Sequence, residues 1–288
     1  MQPIFYMNGE FVPEAQAVLP VLDRAILFSD AVYEVLCVED GKFFDFSLHA
    51  ERLRRSLQKL DVPYNFSLPH LLNICRELVQ RNHMATGSIY LQVSRGVAER
   101  NFYYDKNMVP NFFMFTTCIE KSLLFAEKVL SVLVVPEGRW LRRDIKTAQL
   151  LYASLSKTQA KKKGADDVLF VEDGFITEAS SANVHLIDRN NRFVTHPLNG
   201  RILPGITRHR LLEIAQQMGI EVEERPFTVQ EALEAKELFI SSATSFAVPI
   251  SHLDGQPIGK VFDAQKSEEF FPITRQLRKM YLEKVPRE

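Results

Sequence analysis

Trp140-Leu141-Arg142-Arg143-Asp144-Ile145-Lys146-Thr147 and, thirty-two residues beyond Lys146, Glu178-Ala179-Ser180-Ser181-Ala182-Asn183 are the stretches on which the reading of this chain turns. The first follows an apolar strand candidate, Val129 to Val135, and leads into a helix candidate that begins near Thr147 and stops at Gly164. A lysine at such a junction can point into a cavity instead of into water. The second follows Asp173-Gly174, a pair that supplies the positive φ angles of a tight hairpin turn. It is polar within otherwise strand-like sequence, and polar side chains placed there need partners.

A lysine amine that condenses with an aldehyde, and a carboxylate that keeps a pyridinium nitrogen protonated, are two groups that a pyridoxal-phosphate enzyme cannot easily do without. Taken singly, a lysine and a glutamate are most often solvated surface charges; the pair gains weight from its surroundings. Asp144-Ile145-Lys146-Thr147 together with Thr177-Glu178-Ala179-Ser180-Ser181-Ala182-Asn183 resembles the fold-type IV pyridoxal-phosphate transaminases, and among them the D-amino acid transaminases. The similarity runs from Asp23-Arg24 through Thr244 with the spacing between motifs kept. It implies a two-domain fold of mixed α+β and α/β character: a small N-terminal α/β domain and a larger, mixed-sheet, barrel-like C-terminal domain that binds the cofactor. The strand pattern stops at Ile119 to Leu124, so the domains are expected at 1–118 and 125–288 with 119–124 as linker.

Composition agrees with a small-molecule enzyme. At 288 residues and 46% hydrophobic the chain can bury a full core. A net charge of -1 offers no electrostatic footprint for nucleic acid or an anionic membrane. Cys37, Cys75 and Cys118 lie in apolar runs and read as buried thiols, not as a disulfide framework or zinc site. The seven histidines are scattered without an H-x-x-x-H pair, which argues against a metal. No basic leader and no 18-residue apolar run is present, so a soluble, cytoplasmic protein is expected.

In chain order, Asn8-Gly9 predicts a first hairpin and Ala31 to Glu39 a strand. Ser47 is expected to cap a helix to about Lys59, with Leu53, Leu57 and Leu60 as its buried stripe, and a second helix spans Leu71 to Asn82. Ser88 to Ser94 and Asn111 to Cys118 read as strands. In the helix after Lys146, Leu150, Leu151, Leu155 and Ala160 are expected to pack inward. Strands over Val168–Val171, Phe175–Thr177 and Val184–Ile187 form a meander, and a helix runs from about Arg208 to Met218. Thr228 and Glu231 form a capping box before a strand over Glu237–Ser242, and a last helix covers roughly Phe262 to Lys284.

The resemblance assigns roles. Lys146 carries the cofactor and shuttles the proton, and Glu178 faces the pyridinium nitrogen, with His49 and Arg139 as its support. Arg52, the first arginine of His49-Ala50-Glu51-Arg52-Leu53, binds the cofactor phosphate together with the Ile206 and Thr207 N–H groups and Ala243-Thr244. Ser181, Asn183 and Leu203 complete the cofactor set. From the residues alone, Thr207 reads equally as an ordinary helix N-cap and Tyr33 as core packing with a satisfied hydroxyl. By the resemblance Tyr33, Val35 and Arg100 meet the substrate, and Arg100 reaches across a homodimer to grip its carboxylate. Phe102 stands where those transaminases carry a histidine.

The implied reaction moves an amino group from a D-amino acid to a 2-oxo acid. A branched-chain L-amino acid aminotransferase and an aminodeoxychorismate lyase of the same fold remain the alternatives, although no G-G-T-G run is present. A serine acylase is the rival of another class, since Ser154-Leu155-Ser156-Lys157 matches S-x-x-K. It lacks the accompanying K-T-G triplet.

Overall fold

The computed structural model describes residues 2–259 and 269–288. They divide into two compact units, one built from Met1–Phe125 with Ile145–Gln149 and Pro286–Glu288, the other from Ala126–Asp144 with Leu150–Val285. Ile145–Gln149 and Pro286–Glu288 thus depart from the expected 125–288 domain.

The first unit contains β1 (Ile4–Met7), β2 (Glu10–Pro13), α1 (Arg24–Phe28), β3 (Ala31–Glu39), β4 (Lys42–Phe43), α2 (Phe46–Lys59), α3 (Leu68–Arg81), β5 (Thr86–Ser94), β6 (Asn111–Cys118) and α4 (Lys121–Leu124). Its strands form an antiparallel sheet in the order β2-β1-β6-β5-β3-β4. The β1–β2 turn places Asn8 and Gly9 at φ 48° and 105°, as Asn-Gly predicts. Helix α2 buries Leu53 and Leu57. Ser47 is not its cap: Asp45 occupies that position, and the Ser47 hydroxyl donates instead to Glu288 at 2.6 Å. Cys37 and Cys75 are buried, whereas Cys118, at the end of β6, is exposed.

The second unit holds β7 (Leu130–Pro136), α5 (Leu151–Lys162), β8 (Asp167–Glu172), β9 (Phe175–Ala179), β10 (Asn183–Ile187), β11 (Phe193–Thr195), α6 (Ile206–Gln217), β12 (Val222–Glu224), α7 (Val229–Glu234), β13 (Glu237–Ser242), β14 (Phe246–Leu253), β15 (Gln256–Pro257) and α8 (Pro272–Lys284). The pairing β10-β13-β14-β7-β8-β9 returns to β10, so these strands close a barrel. β7 runs parallel to both β8 and β14, and α5 provides the β7-to-β8 crossover that parallel strands require. Val132, Leu169, Ile176, Leu186, Leu238 and Ile250 lie in its apolar core.

Two expectations fail here. The helix starts at Leu151, not near Thr147, and Leu150, Leu151 and Leu155 are 42%, 74% and 52% exposed; Ala160 packs inward as expected, and Ala153 does so as well. Of the final helix, Pro272–Lys284 is helical with Phe271 as its N-cap, and the expected part from Phe262 to residue 268 lies outside the described residues.

Candidate active site

Lys146 is positioned by a strand edge. β4 covers only the far end of β3, at Val38 and Glu39, and the opposite end takes main-chain bonds from the Ile145–Gln149 segment. The Tyr33 N–H donates to the Lys146 carbonyl at 3.0 Å, and the Ala148 N–H donates to the Ala31 carbonyl at 3.0 Å. An extended backbone in this register explains why no helix forms at Thr147, which bridges to Val32. The half-buried Lys146 sets Nζ 4.1 Å from the Tyr33 ring centroid. Tyr33 is itself stacked on Tyr90 at 5.3 Å. An ammonium over a π face is stabilised without a counter-charge. Half-buried Val35 lies two residues on, along the same face of β3.

The other face of β3 carries Glu34, which points to α2. Arg52 donates from Nε to Oε1 and from Nη2 to Oε2, both at 2.7 Å, and His49 Nδ1 is 2.7 Å from Oε2. Burial alone would raise the Glu34 carboxyl, yet Arg52 and His49 hold it at about 2. Burial pushes His49 below its ordinary value, toward the neutral ring. His49, implied as support for Glu178, is therefore bonded to Glu34 within the first unit.

In the second unit Glu178, next to last in β9, pairs in register with Asn183 at the start of β10, on the seam that closes the barrel. Its Oε1 accepts from Asn183 Nδ2 at 3.0 Å and from the Leu203 N–H at 2.8 Å; Oε2 accepts from Arg139 Nη1 at 2.8 Å. Burial holds the Glu178 carboxyl above its ordinary value, and Arg139 and the Leu203 N–H offset only part of that rise. A buried carboxylate so held is a strong acceptor for a further proton donor. Arg139 also grips Glu137, from Nε at 2.9 Å and Nη2 at 2.7 Å, and stacks over Phe170. Glu137 accepts from Thr177 Oγ1 as well.

The loop before α6 ends on Gly205, which is the N-cap and offers no side-chain bond to the helix. A Cβ at Gly205 would collide with Asn183 Oδ1, so the backbone approaches this seam as only glycine permits. Ile206 and Thr207 lie inside the first turn with N–H groups that lack an intrahelical acceptor. Thr207 is thus not the N-cap, and its buried Oγ1 has no hydrogen-bond partner among the described residues, as is true of Ser180 Oγ. Half-buried Ala243 and Thr244 form the turn after β13, and Ser181 is exposed.

Residues 31–253 match the amino-transferase class IV family model. This chain is a class IV aminotransferase. The class IV aminotransferase is similar to a D-alanine aminotransferase of Staphylococcus aureus, 37% identical over 96% of each chain. It is also similar to a D-alanine aminotransferase of Bacillus licheniformis, 34% identical over 88% of this chain and 89% of the relative. Among solved structures, the Escherichia coli branched-chain amino acid aminotransferase superposes with a TM-score of 0.89 at 20% identity, covering 99% of this chain and 95% of that one. That of Thermoproteus uzoniensis gives 0.82 at 22%, covering 98% and 94%. At such identities the likeness is one of fold.

Class IV aminotransferases use pyridoxal 5′-phosphate, and the second unit's features fit that group. The orphaned N–H groups and Thr207 hydroxyl at the start of α6 suit a phosphate, and buried Glu178 suits a protonated ring nitrogen. Glu34 and Glu137 were missed in the sequence. An acid within the apolar run Val32 to Val38 is a readable sign of a buried partner, whereas nothing local marks Glu137.

Proposed function

We propose that this aminotransferase moves an amino group from a D-amino acid, with D-alanine a donor, to a 2-oxo acid. The observation that carries the reading is full-length similarity to D-alanine aminotransferases joined to a buried, three-donor Glu178. Bound pyridoxal phosphate supplies the carbon that receives the amino group and a ring that takes up the electron pair left when the α-proton departs.

With the cofactor bound, Lys146 Nζ would hold it and would serve as the base that takes up the substrate α-proton and passes it on. Glu178 keeps the ring nitrogen protonated, and Asn183, the Leu203 N–H and Arg139 keep Glu178 oriented. Ile206 and Thr207, with Ala243, Thr244, Ser181 and Arg52, bind the phosphate end. Tyr33 and Val35 border the substrate, and Arg100 pairs with its carboxylate as a guanidinium fork.

The chain works as a homodimer in the cytoplasm. Leu151 and Leu155, one turn apart on α5, are exposed, as are Leu141 and Leu150, and exposed large apolar side chains favour a covering partner. Among the described residues no helix is long and apolar enough to cross a membrane. The test is the half-reaction spectrum with D- and L-alanine, D- and L-glutamate and leucine. Conversion of the bound cofactor by D-alanine ahead of L-alanine and leucine supports the reading; preference for an L-amino acid overturns it.

A further inference from the structure

The loop that carries Arg100 is tied to the first unit by a cluster centred on Asp30. One carboxylate oxygen, Asp30 Oδ2, accepts from Arg24 Nε at 2.8 Å and from Arg95 Nε at 2.8 Å. Arg95 donates onward to the Leu60 carbonyl at 2.6 Å and the Asp61 carbonyl at 3.0 Å, so its position is fixed from both sides. Arg24 reaches into the loop and donates to the Asn101 carbonyl at 2.7 Å. The loop returns the contact through Tyr104. Its ring centroid lies 3.7 Å from the Arg95 guanidinium and 5.6 Å from that of Arg24.

The loop's base is equally constrained. Gly96 sits at φ 109°, where an added Cβ would collide with the Val109 carbonyl, so the two ends of the loop touch. The tip is more exposed: Phe102 and Tyr103 are 78% and 86% exposed, Phe102 meets the Phe28 ring edge-on at 5.5 Å, and Arg100 faces the Phe28 and Phe102 rings at 5.8 Å. Between the fixed base and the exposed tip, the Arg24–Asn101 bond and the Tyr104 ring tie the loop to the Asp30 cluster, beside the contact of Phe102 with the Phe28 ring.

We propose that Tyr104 is a positioning residue for substrate binding: its ring, lodged against the two guanidiniums that Asp30 holds, sets the conformation in which the loop presents Arg100. This rests on the reading that Arg100 pairs with the substrate carboxylate. A π face serves here better than an aliphatic side chain. Two cations share one carboxylate, and the quadrupole of the ring attracts the charge left over. An ordered loop also loses less conformational freedom when substrate binds.

The experiment compares Tyr104→Leu, Tyr104→Phe and Arg100→Ala holoenzymes with wild type by D-alanine kinetics and by trypsin cleavage after Arg100 and Lys106. Tyr104→Leu is expected to raise KM for D-alanine roughly three- to thirtyfold, the scale of a lost cation–π contact, with kcat within about twofold. It should also be cut several times faster in the loop. Tyr104→Phe, which keeps the ring, should match wild type in both. Wild-type KM and cleavage in Tyr104→Leu, or equal damage in Tyr104→Phe, overturns the proposal. If Arg100→Ala leaves KM unchanged while Tyr104→Leu still speeds cleavage, the carboxylate reading fails and the ring's hold on the loop stands.

Discussion

Arg52 gives Glu34 two parallel hydrogen bonds, Nε to Oε1 and Nη2 to Oε2, each 2.7 Å long and buried in the first unit. A fork held in this way is oriented before any ligand arrives. The arginine proposed to meet the phosphate thus has its direction set by an acid on β3.

Replacing Glu34 by Gln keeps the shape but removes the buried charge that both bonds of the Arg52 fork meet. Removing one member of a buried pair costs about 3–5 kcal/mol, so urea unfolding at pH 7 should show a loss on that scale. The pH dependence has a definite sign. The folded-state carboxyl lies at about 2 against an ordinary 4.5, so its stabilisation is present above pH 4.5 and is lost as pH falls toward 2. At roughly 1.4 kcal/mol per pH unit this is about 3 kcal/mol. Stability of wild type should fall across that window, and the Glu34→Gln profile should be flatter there; parallel profiles would remove Glu34 from this role.

Arg52→Ala should weaken cofactor retention more than it slows turnover at saturating cofactor. A charge-assisted contact contributes about 1.5–3 kcal/mol, roughly ten- to a hundredfold in affinity. Equilibrium dialysis of the apoenzyme against pyridoxal phosphate measures it, and unchanged affinity would leave Arg52 a purely structural partner of Glu34.

Glu178→Gln should retain the cofactor and its colour while slowing proton transfer. The neutral amide can no longer hold the ring nitrogen protonated, and it meets the Arg139 guanidinium without a charge. Stopped-flow half-reactions at wild-type rates would contradict the role given to Glu178.

How far these residues could be read in advance varies with how local their causes are. The hairpin at Asn8-Gly9, the capping box of Thr228 and Glu231, and strands β5 and β6 follow from nearest-neighbour chemistry and stand where the pattern puts them. The leucines of α5 do not: Leu150, Leu151 and Leu155 have the spacing of a buried stripe, yet they are exposed in this chain. Lys146 was legible as a reactive group but its setting was not, because the backbone bonds that place it come from β3, more than a hundred residues earlier. Thr207 reads from the sequence equally as a cap or a ligand, and it is the helix start at Ile206, one residue earlier, that excludes the cap.

A glycine tests the seam between β9 and β10. Gly205→Ala would push a methyl group into Asn183 Oδ1, and Asn183 could then not keep its bond to Glu178. We expect at least tenfold weaker cofactor binding, with thermal stability of the apoenzyme lowered by about 1–3 kcal/mol for the overpacking. Normal cofactor affinity in a folded Gly205→Ala protein would show that the close approach has no part in the site.

The account as a whole depends on Lys146. Its most direct test is reduction of the pyridoxal-phosphate-loaded protein with borohydride, followed by peptide mass spectrometry. The account predicts a pyridoxyl group on Lys146, and a Lys146→Ala protein that still binds cofactor but has lost transamination by orders of magnitude. A pyridoxyl group on a different lysine, or transamination surviving in Lys146→Ala, would contradict it.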